Sequence, residues 1–270
     1  MDRRPIGVFD SGLGGLTAVR ELRRLLPGED LIYFGDTGRV PYGSRSPETI
    51  LKYARQDVAF LRTFDLKAIV IACGTVSNIA LEALEAENPI PVYGVVGSAA
   101  KAAVETTKSG RIGLIGTAAT VHSGGYERAV RRLSPDCRMC AVPCPLFVPL
   151  VENGRTRPGD VVIETVCREY LEPIKEFDAD VLVLGCTHYP LLREVIGSCM
   201  GDGVTLIDVG AVCARQVAKE LIRRDALACG ERGTLRCYVS DETEGFSVLA
   251  SRFLGEEMEG QVLRVDVDRF

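Results

Sequence analysis

The amino-acid sequence predicts an α/β fold: two similar, doubly wound parallel-sheet domains facing each other across a cleft. Three observations lead there. Short, wholly apolar runs of the kind buried on both faces of a parallel sheet recur along the chain, as in Ala68-Ile69-Val70-Ile71 and Val181-Leu182-Val183-Leu184. Segments with helical apolar spacing alternate with these runs without a break. Two of the runs also end alike, the first in Cys73-Gly74-Thr75 and the second in Gly185-Cys186-Thr187-His188-Tyr189-Pro190. Each brings a thiol, with a threonine hydroxyl close by, to the carboxyl end of a strand, where open α/β sheets bind ligands.

Taken in order, Ile6-Gly7-Val8-Phe9 reads as a strand and Asp10-Ser11-Gly12-Leu13-Gly14-Gly15 as a turn. A helix follows, carried by Leu16, Val19, Leu22, Leu25 and Leu26. A second strand, Leu31-Ile32-Tyr33-Phe34, ends at Gly35-Asp36 and leads to the loop Val40-Pro41-Tyr42-Gly43-Ser44. Ser46-Pro47-Glu48 supplies a capping serine and a first-position proline for a helix with Ile50, Tyr53, Ala54, Val58 and Leu61 on one face. Beyond the strand to Cys73, the pattern predicts a helix over 76–87, a strand over 92–96 and a helix over 99–107. A strand over 111–115 ending in Gly116-Thr117 and a helix over 124–133 come next. The strand-like run Cys140-Ala141-Val142-Pro143 leads into a loop with Pro149 and Glu152. A long helix over 158–177, the strand to Cys186, a helix over 191–200, a strand over 204–207 and a helix over 211–224 complete the second half. The tail adds strands over 235–239 and 262–265 around one helix. No low-complexity linker marks a boundary, and the chain is expected to cross between halves at Gly94 to Ser98 and at Asp208 to Gly210.

Composition narrows the functional classes. A chain of 270 residues can bury one large core or two smaller ones. A net charge of -5 with no long run of one sign offers no electrostatic footprint for nucleic acid or an anionic membrane surface. No apolar stretch reaches the length of a signal h-region or a membrane span, so a cytoplasmic protein is expected. Ten cysteines are few for a disulfide scaffold of this size, and Cys167, Cys199, Cys213 and Cys237 lie in apolar contexts where a reduced thiol is a small hydrophobe. All except Cys73 and Cys186 are read as packing residues.

Several motifs have competing uses. Gly12-x-Gly14-x-x-Thr17, with Asp36 at the end of the next strand, imitates a dinucleotide-binding loop. Against that, Thr17 occupies the third small position and Asp10 would put a carboxylate beside a pyrophosphate. The loop's N–H groups suit a carboxylate ligand equally well, and a plain tight turn is the other alternative. Cys137-x2-Cys140-x3-Cys144 has no clear fourth metal ligand nearby and is read as packing, so no metal is expected. None of the six lysines sits at a strand-end motif, as a pyridoxal phosphate enzyme would require, and no cofactor is inferred. His188, two residues from Cys186, raises a nucleophilic Cys/His hydrolase, although the base of such a dyad usually comes from elsewhere in a fold. Two thiols in matching positions fit another chemistry better. Inversion at carbon needs a base on one face and an acid on the other, and a thiol can serve in either form near neutral pH when its surroundings stabilise the thiolate.

In these residues the chain resembles the cofactor-independent enzymes of the aspartate/glutamate racemase superfamily. The likeness runs through Asp10-Ser11-Gly12-x-Gly14-Gly15, Gly35-Asp36, Pro41-Tyr42-Gly43, Cys73-x-Thr75, Gly116-Thr117, Cys144-Pro145-x-x-Val148-Pro149-Leu150-Val151-Glu152 and Gly185 to Pro190. It implies two pseudo-symmetric domains, residues 1–97 with 209–270 and residues 98–208, and interconversion of L- and D-glutamate in the cleft, supplying D-glutamate for peptidoglycan. It implies that Cys73 exchanges a proton with the D-enantiomer and Cys186 with the L-enantiomer, while Asp10, His188 and Glu152 tune or position the thiols. Substrate contacts are implied at Asp10, Ser11, Pro41, Tyr42, Gly43, Gly74, Thr75, Thr117, Thr187 and His188, and a homodimer is implied as the assembly. Gly74 stands where the family usually has asparagine, Ser98 where proline is frequent, and Val209 where serine is usual. Other racemases of the superfamily, including those acting on aspartate, and decarboxylases or isomerases of small diacids are the neighbouring activities. A silent binder of acidic ligands is the non-enzymatic alternative.

Overall fold

A computed structural model of the chain describes residues 1–228, 230, 232–241, 245–258 and 261–270. The first sheet gathers β1 (Ile6–Asp10), β2 (Leu31–Gly35), β3 (Ala68–Ile71), β4 (Val92–Gly94), β9 (Leu235–Val239) and β10 (Val262–Arg264) in the order β10-β9-β2-β1-β3-β4. The second contains β5 (Arg111–Gly116), β6 (Arg138–Pro143), β7 (Val181–Leu184) and β8 (Thr205–Asp208) in the order β6-β5-β7-β8. Every pairing in both sheets is parallel. The central strands β1, β3 and β7 are buried along their whole length, as unbroken apolar runs require when helices cover both faces.

The helices are α1 (Leu16–Leu25), α2 (Pro47–Leu61), α3 (Gly74–Ile79), α4 (Leu81–Glu87), α5 (Val95–Thr106), α6 (Ala118–His122) and α7 (Gly125–Leu133). They continue with α8 (Phe147–Glu152), α9 (Val161–Glu176), α10 (Arg193–Met200), α11 (Val209–Arg223) and α12 (Phe246–Leu254). Ser46 caps α2 by accepting from the Thr49 N–H with Pro47 in the first turn, as the sequence indicates. Asp208 caps α11 by accepting from the Ala211 N–H at 3.0 Å, so Val209 begins that helix, buried.

Three local expectations need correcting. The strand expected over 92–96 stops at Gly94, because Val95 and Val96 already form the first turn of α5. The helix expected over 76–87 is two helices meeting at Ala80. The helix expected over 124–133 is present as α7, and the short α6 precedes it, with Gly124 in a left-handed turn between the two. The stretch containing Pro149 and Glu152, expected as a loop, is the short helix α8.

β1 lies between β2 and β3, and β5 between β6 and β7, so each sheet has its switch point beside its central strand. The carboxyl ends of β1 and β3 carry Asp10-Ser11 and Cys73, and those of β5, β6 and β7 carry Thr117, Cys144 and Cys186. The two switch points face each other, which is where this topology binds ligands. Helices α1, α5 and α11 pack together between the sheets, and the chain crosses from one sheet to the other through α5 and α11. The buried Lys67 also ties the N-terminal segment to the segment after α11: it pairs with Glu29 and donates to the carbonyls of Asp2 and Ala226, both at 2.8 Å.

Candidate active site

A cavity of about 520 Å³ opens between the ends of the sheets. Ser11, Pro41, Tyr42, Gly43, Cys73, Gly74 and Thr75 line it from the first sheet, and Thr117, Cys144, Val148, Glu152, Cys186, Thr187 and His188 from the second. The two motif thiols therefore share one cleft, each buried in its own wall. Among the described residues no lysine or arginine lines the cavity, so carboxylates entering it meet hydroxyls and backbone N–H groups instead.

The two thiols have different surroundings. Cys73 Sγ lies 3.4 Å from Ser11 Oγ. Burial pushes the Cys73 thiol up to about 12, with the Asp10 carboxylate adding to the rise and the Ser11 contact opposing it. Cys186 Sγ lies 3.8 Å from His188 Nδ1, while His188 Nε2 lies 2.9 Å from Glu152 Oε1. Burial alone would favour a neutral imidazole, but its contacts with Cys186 and Glu152, together with the Asp10 carboxylate, outweigh that effect and raise His188 to about 10. At neutral pH His188 is thus an imidazolium between a thiol and a carboxylate, and its ring packs edge-on against Phe253 of α12, with centroids 5.1 Å apart.

Asp10 does not reach the cavity wall. It is 1% exposed beneath the glycine loop and accepts from the Gly12 N–H at 3.0 Å. Burial raises its carboxyl above the usual carboxylate range, against the pull of His188 and the loop N–H groups. Asp10 thus stands just behind the wall, within the electrostatic reach of both Cys73 and His188.

Tyr42 lines the cavity, and its hydroxyl is turned into the protein, donating to Asp36 and to Asp57 Oδ2 at 3.2 Å. Arg39 completes this buried cluster, donating to Asp36 at 2.6 Å and Asp57 at 2.8 Å. The cluster fastens the 41–43 loop, whose Gly43 approaches Thr117 of the opposite wall. Thr117 continues a hydroxyl chain, 3.0 Å from both Thr75 and Thr120.

The glycine loop has a role that its resemblance to a cofactor motif obscured. A Cβ at Gly14 would lie 2.5 Å from His188 Nδ1 and would overlap the Thr187 hydroxyl, so the loop is packed against the opposite catalytic turn. Thr17 reinforces that contact by donating to the Thr187 carbonyl at 2.9 Å. In the sequence Thr17 stands out only as a departure from the dinucleotide pattern, and that departure is the available signal. Phe253 and Thr120 had no comparable signal. Cys137 and Cys140 are partly buried, and Cys140 approaches the Pro173 carbonyl at 3.8 Å, whereas Cys144 forms part of the cavity wall. Cys229, also read as a packing residue, lies outside the described residues.

A sequence profile of the Asp/Glu/Hydantoin racemase family matches residues 6–217. Among curated proteins, glutamate racemase of Geobacter metallireducens is 45% identical over 99% of this chain and 98% of its own. Among solved structures, glutamate racemase from Francisella tularensis in complex with D-glutamate superposes with a TM-score of 0.92 at 37% identity, covering 100% of both chains. Glutamate racemase from Thermus thermophilus in complex with beta-chloro-D-alanine does so with a TM-score of 0.88 at 44% identity, again over 100% of both chains.

Proposed function

The chain belongs to the Asp/Glu/hydantoin racemase family, and we propose that it interconverts L- and D-glutamate by proton transfer at Cα between two cysteines. The observation that carries this reading is the presence of Cys73 and Cys186 on separate sheets, in opposite walls of one cavity. A substrate carbon held between them meets a sulfur on each face. One thiolate removes the Cα proton while the opposite thiol delivers another, so the product leaves with inverted configuration and the thiol roles exchanged. Cys73 acts on the D-enantiomer and Cys186 on the L-enantiomer.

The surroundings of the thiols suit the two roles. Cys73, pushed up to about 12, rests as the thiol and supplies the proton when L-glutamate is consumed. The His188 imidazolium gives Cys186 a cationic neighbour for the turnover state in which it carries charge, and Glu152 holds the ring in place. Ser11, Thr75, Thr117 and Thr187, with the N–H groups of the strand-end turns, bind the carboxylates and stabilise charge developing at Cα. Asp10 acts from behind the wall on the electrostatics of both sides.

The two sheets support a division into residues 1–97 with 209–270 and residues 98–208, with α5 running across the first boundary. The family resemblance further supports cofactor-independent chemistry in the cytoplasm, a role in supplying D-glutamate for peptidoglycan, and a homodimeric assembly.

The test is solvent deuterium incorporation at Cα of L- and D-glutamate by metal-free protein without added cofactor, with aspartate in parallel. Exchange with inversion on glutamate is expected. Exchange on aspartate alone would overturn the substrate assignment, and no exchange on either would overturn the reaction.

A further inference from the structure

On the side of the second sheet where α9 and α10 pack together, a separate cavity of about 310 Å³ is lined by Glu164, Cys167, Arg168, Lys175, Ser198 and Cys199, among others. Cys167 follows Glu164 by one helical turn on α9, and Cys199 lies in the last turn of α10, so both thiols project into the seam between the helices. Both line the one cavity, and α9 and α10 pack directly against each other. Cys167 is 1% exposed, whereas Cys199 is partly exposed and meets solvent through the cavity. Neither thiol belongs to the glutamate site.

We propose that Cys167 and Cys199 form an oxidative modification site, closing an intramolecular disulfide across the α9/α10 seam when the protein meets a small hydroperoxide. The exposed sulfur reacts first. Cys199 attacks one peroxide oxygen, an S–O bond forms as the O–O bond breaks, and the departing hydroxide leaves as water with the thiol proton. Cys167 then displaces the hydroxyl from the Cys199 sulfenic acid, giving an S–S bond and a second water that carries the Cys167 proton. The two thiols lose two electrons, and the peroxide takes up both.

The division of labour follows from burial. The cavity admits a molecule the size of a hydroperoxide to Cys199, while Cys167 is covered. Burial, aided by neighbouring Cys199, pushes the Cys167 thiol up to about 12, against the pull of Lys175 and Arg168, which disfavours it as the first nucleophile. The cross-link would join the helix that follows the Glu152 segment to the helix that follows the Cys186-Thr187-His188 turn, binding together the two supports of one wall of the catalytic cleft.

The experiment treats the intact protein with stoichiometric hydrogen peroxide, blocks remaining thiols, and maps peptides by mass spectrometry. The expected result is a Cys167–Cys199 cross-linked peptide with the mass of two hydrogens lost, reversed by dithiothreitol. Its appearance should coincide with a rise of several degrees in the thermal midpoint of the wild type. Cys199→Ser should abolish both the cross-link and the rise, and Cys167→Ser should trap the Cys199 sulfenic acid for capture by dimedone. Accumulation of Cys199 sulfinic acid without a cross-link in the wild type would overturn the proposal. So would oxidation confined to Cys73 and Cys186.

Discussion

Replacing Gly74 with alanine should separate the two cysteines without touching either. A methyl group there would overlap the carbonyl oxygen of Gly185 and sit 3.4 Å from its carbonyl carbon. Neither turn can recede on its own. The Gly185 N–H donates to the Ile115 carbonyl at 2.8 Å, and the Gly74 carbonyl accepts from Asn78 at 2.7 Å, so each side is fastened to its own sheet or helix. Relief must come from parting the two strand ends, which also parts Cys73 from Cys186. A displacement of roughly 1 Å is enough to cost on the order of 10²-fold in rate, or about 2.7 kcal/mol of transition-state stabilisation. The assay is steady-state racemisation in both directions by circular dichroism, alongside thermal unfolding. Because enantiomers in water have equal free energy, kcat/KM must fall by the same factor for L- and D-glutamate. Gly74→Asn, which restores the residue usual in the family, should share the loss because its Cβ occupies the same place. A Gly74→Ala protein with kcat/KM within about twofold of the parent would show that the close approach is not what sets the geometry.

Four further outcomes follow from the site. Cys73→Ala and Cys186→Ala should each abolish racemisation while leaving far-ultraviolet circular dichroism unchanged, and near-normal turnover by either would contradict the two-thiol chemistry. Tyr42→Phe should cost about 1–3 kcal/mol in urea unfolding, since it leaves the buried Asp57 Oδ2 without its donor and Asp36 Oδ2 with Arg39 alone. Asp57→Asn should cost less than Tyr42→Phe in the same assay, because burial first and Asp36 second push the Asp57 carboxyl well above the usual range, so the charged form that the amide replaces is already penalised by its surroundings. His188 is raised from 6.5 to about 10 on folding, so its contribution to stability is fully present below pH 6.5 and is lost as pH rises toward 10. His188→Gln should flatten that part of the stability profile, and an unchanged slope between pH 6.5 and 10 would refute the assignment of charge.

The parts of the molecule legible in the sequence are those set by local pattern. Val181 to Leu184 can be read as a buried parallel strand because every residue is apolar, and Cys186 can be placed at its end because the run stops there. The errors arise where local preference and tertiary setting disagree. Val95 and Val96 are β-branched and extend an apolar run, yet they are buried in the first turn of α5. Pro149 suggests a loop, but it lies in the first turn of α8, where the missing N–H would have had no partner within the helix. The site was legible as two thiol turns and a glycine loop, whereas the contact between them was not. Thr17 reaches the Thr187 carbonyl across 170 positions of sequence, and Phe253 reaches His188 from the C-terminal helix, distances over which periodicity carries no information.

The two walls of the cleft are symmetric in topology and unlike in chemistry, and that combination has a thermodynamic consequence. Cys73 is backed by Ser11 and a buried carboxyl, while Cys186 is backed by a cationic ring and Glu152. If each wall served its own enantiomer independently, the walls could be tuned apart without limit. They cannot, because both directions pass through the same transition states and the equilibrium constant between enantiomers is unity. The unlike surroundings can therefore alter kcat and KM for each direction, but any gain in one must be matched by a proportional change in the other. What the surroundings do control is which protonation state the free enzyme rests in. With Cys73 held as the thiol and His188 charged beside Cys186, the resting enzyme is poised toward the enantiomer whose proton faces Cys186. The opposite direction must first exchange those proton positions, so the chemical difference between the walls becomes a difference in the population of two enzyme forms.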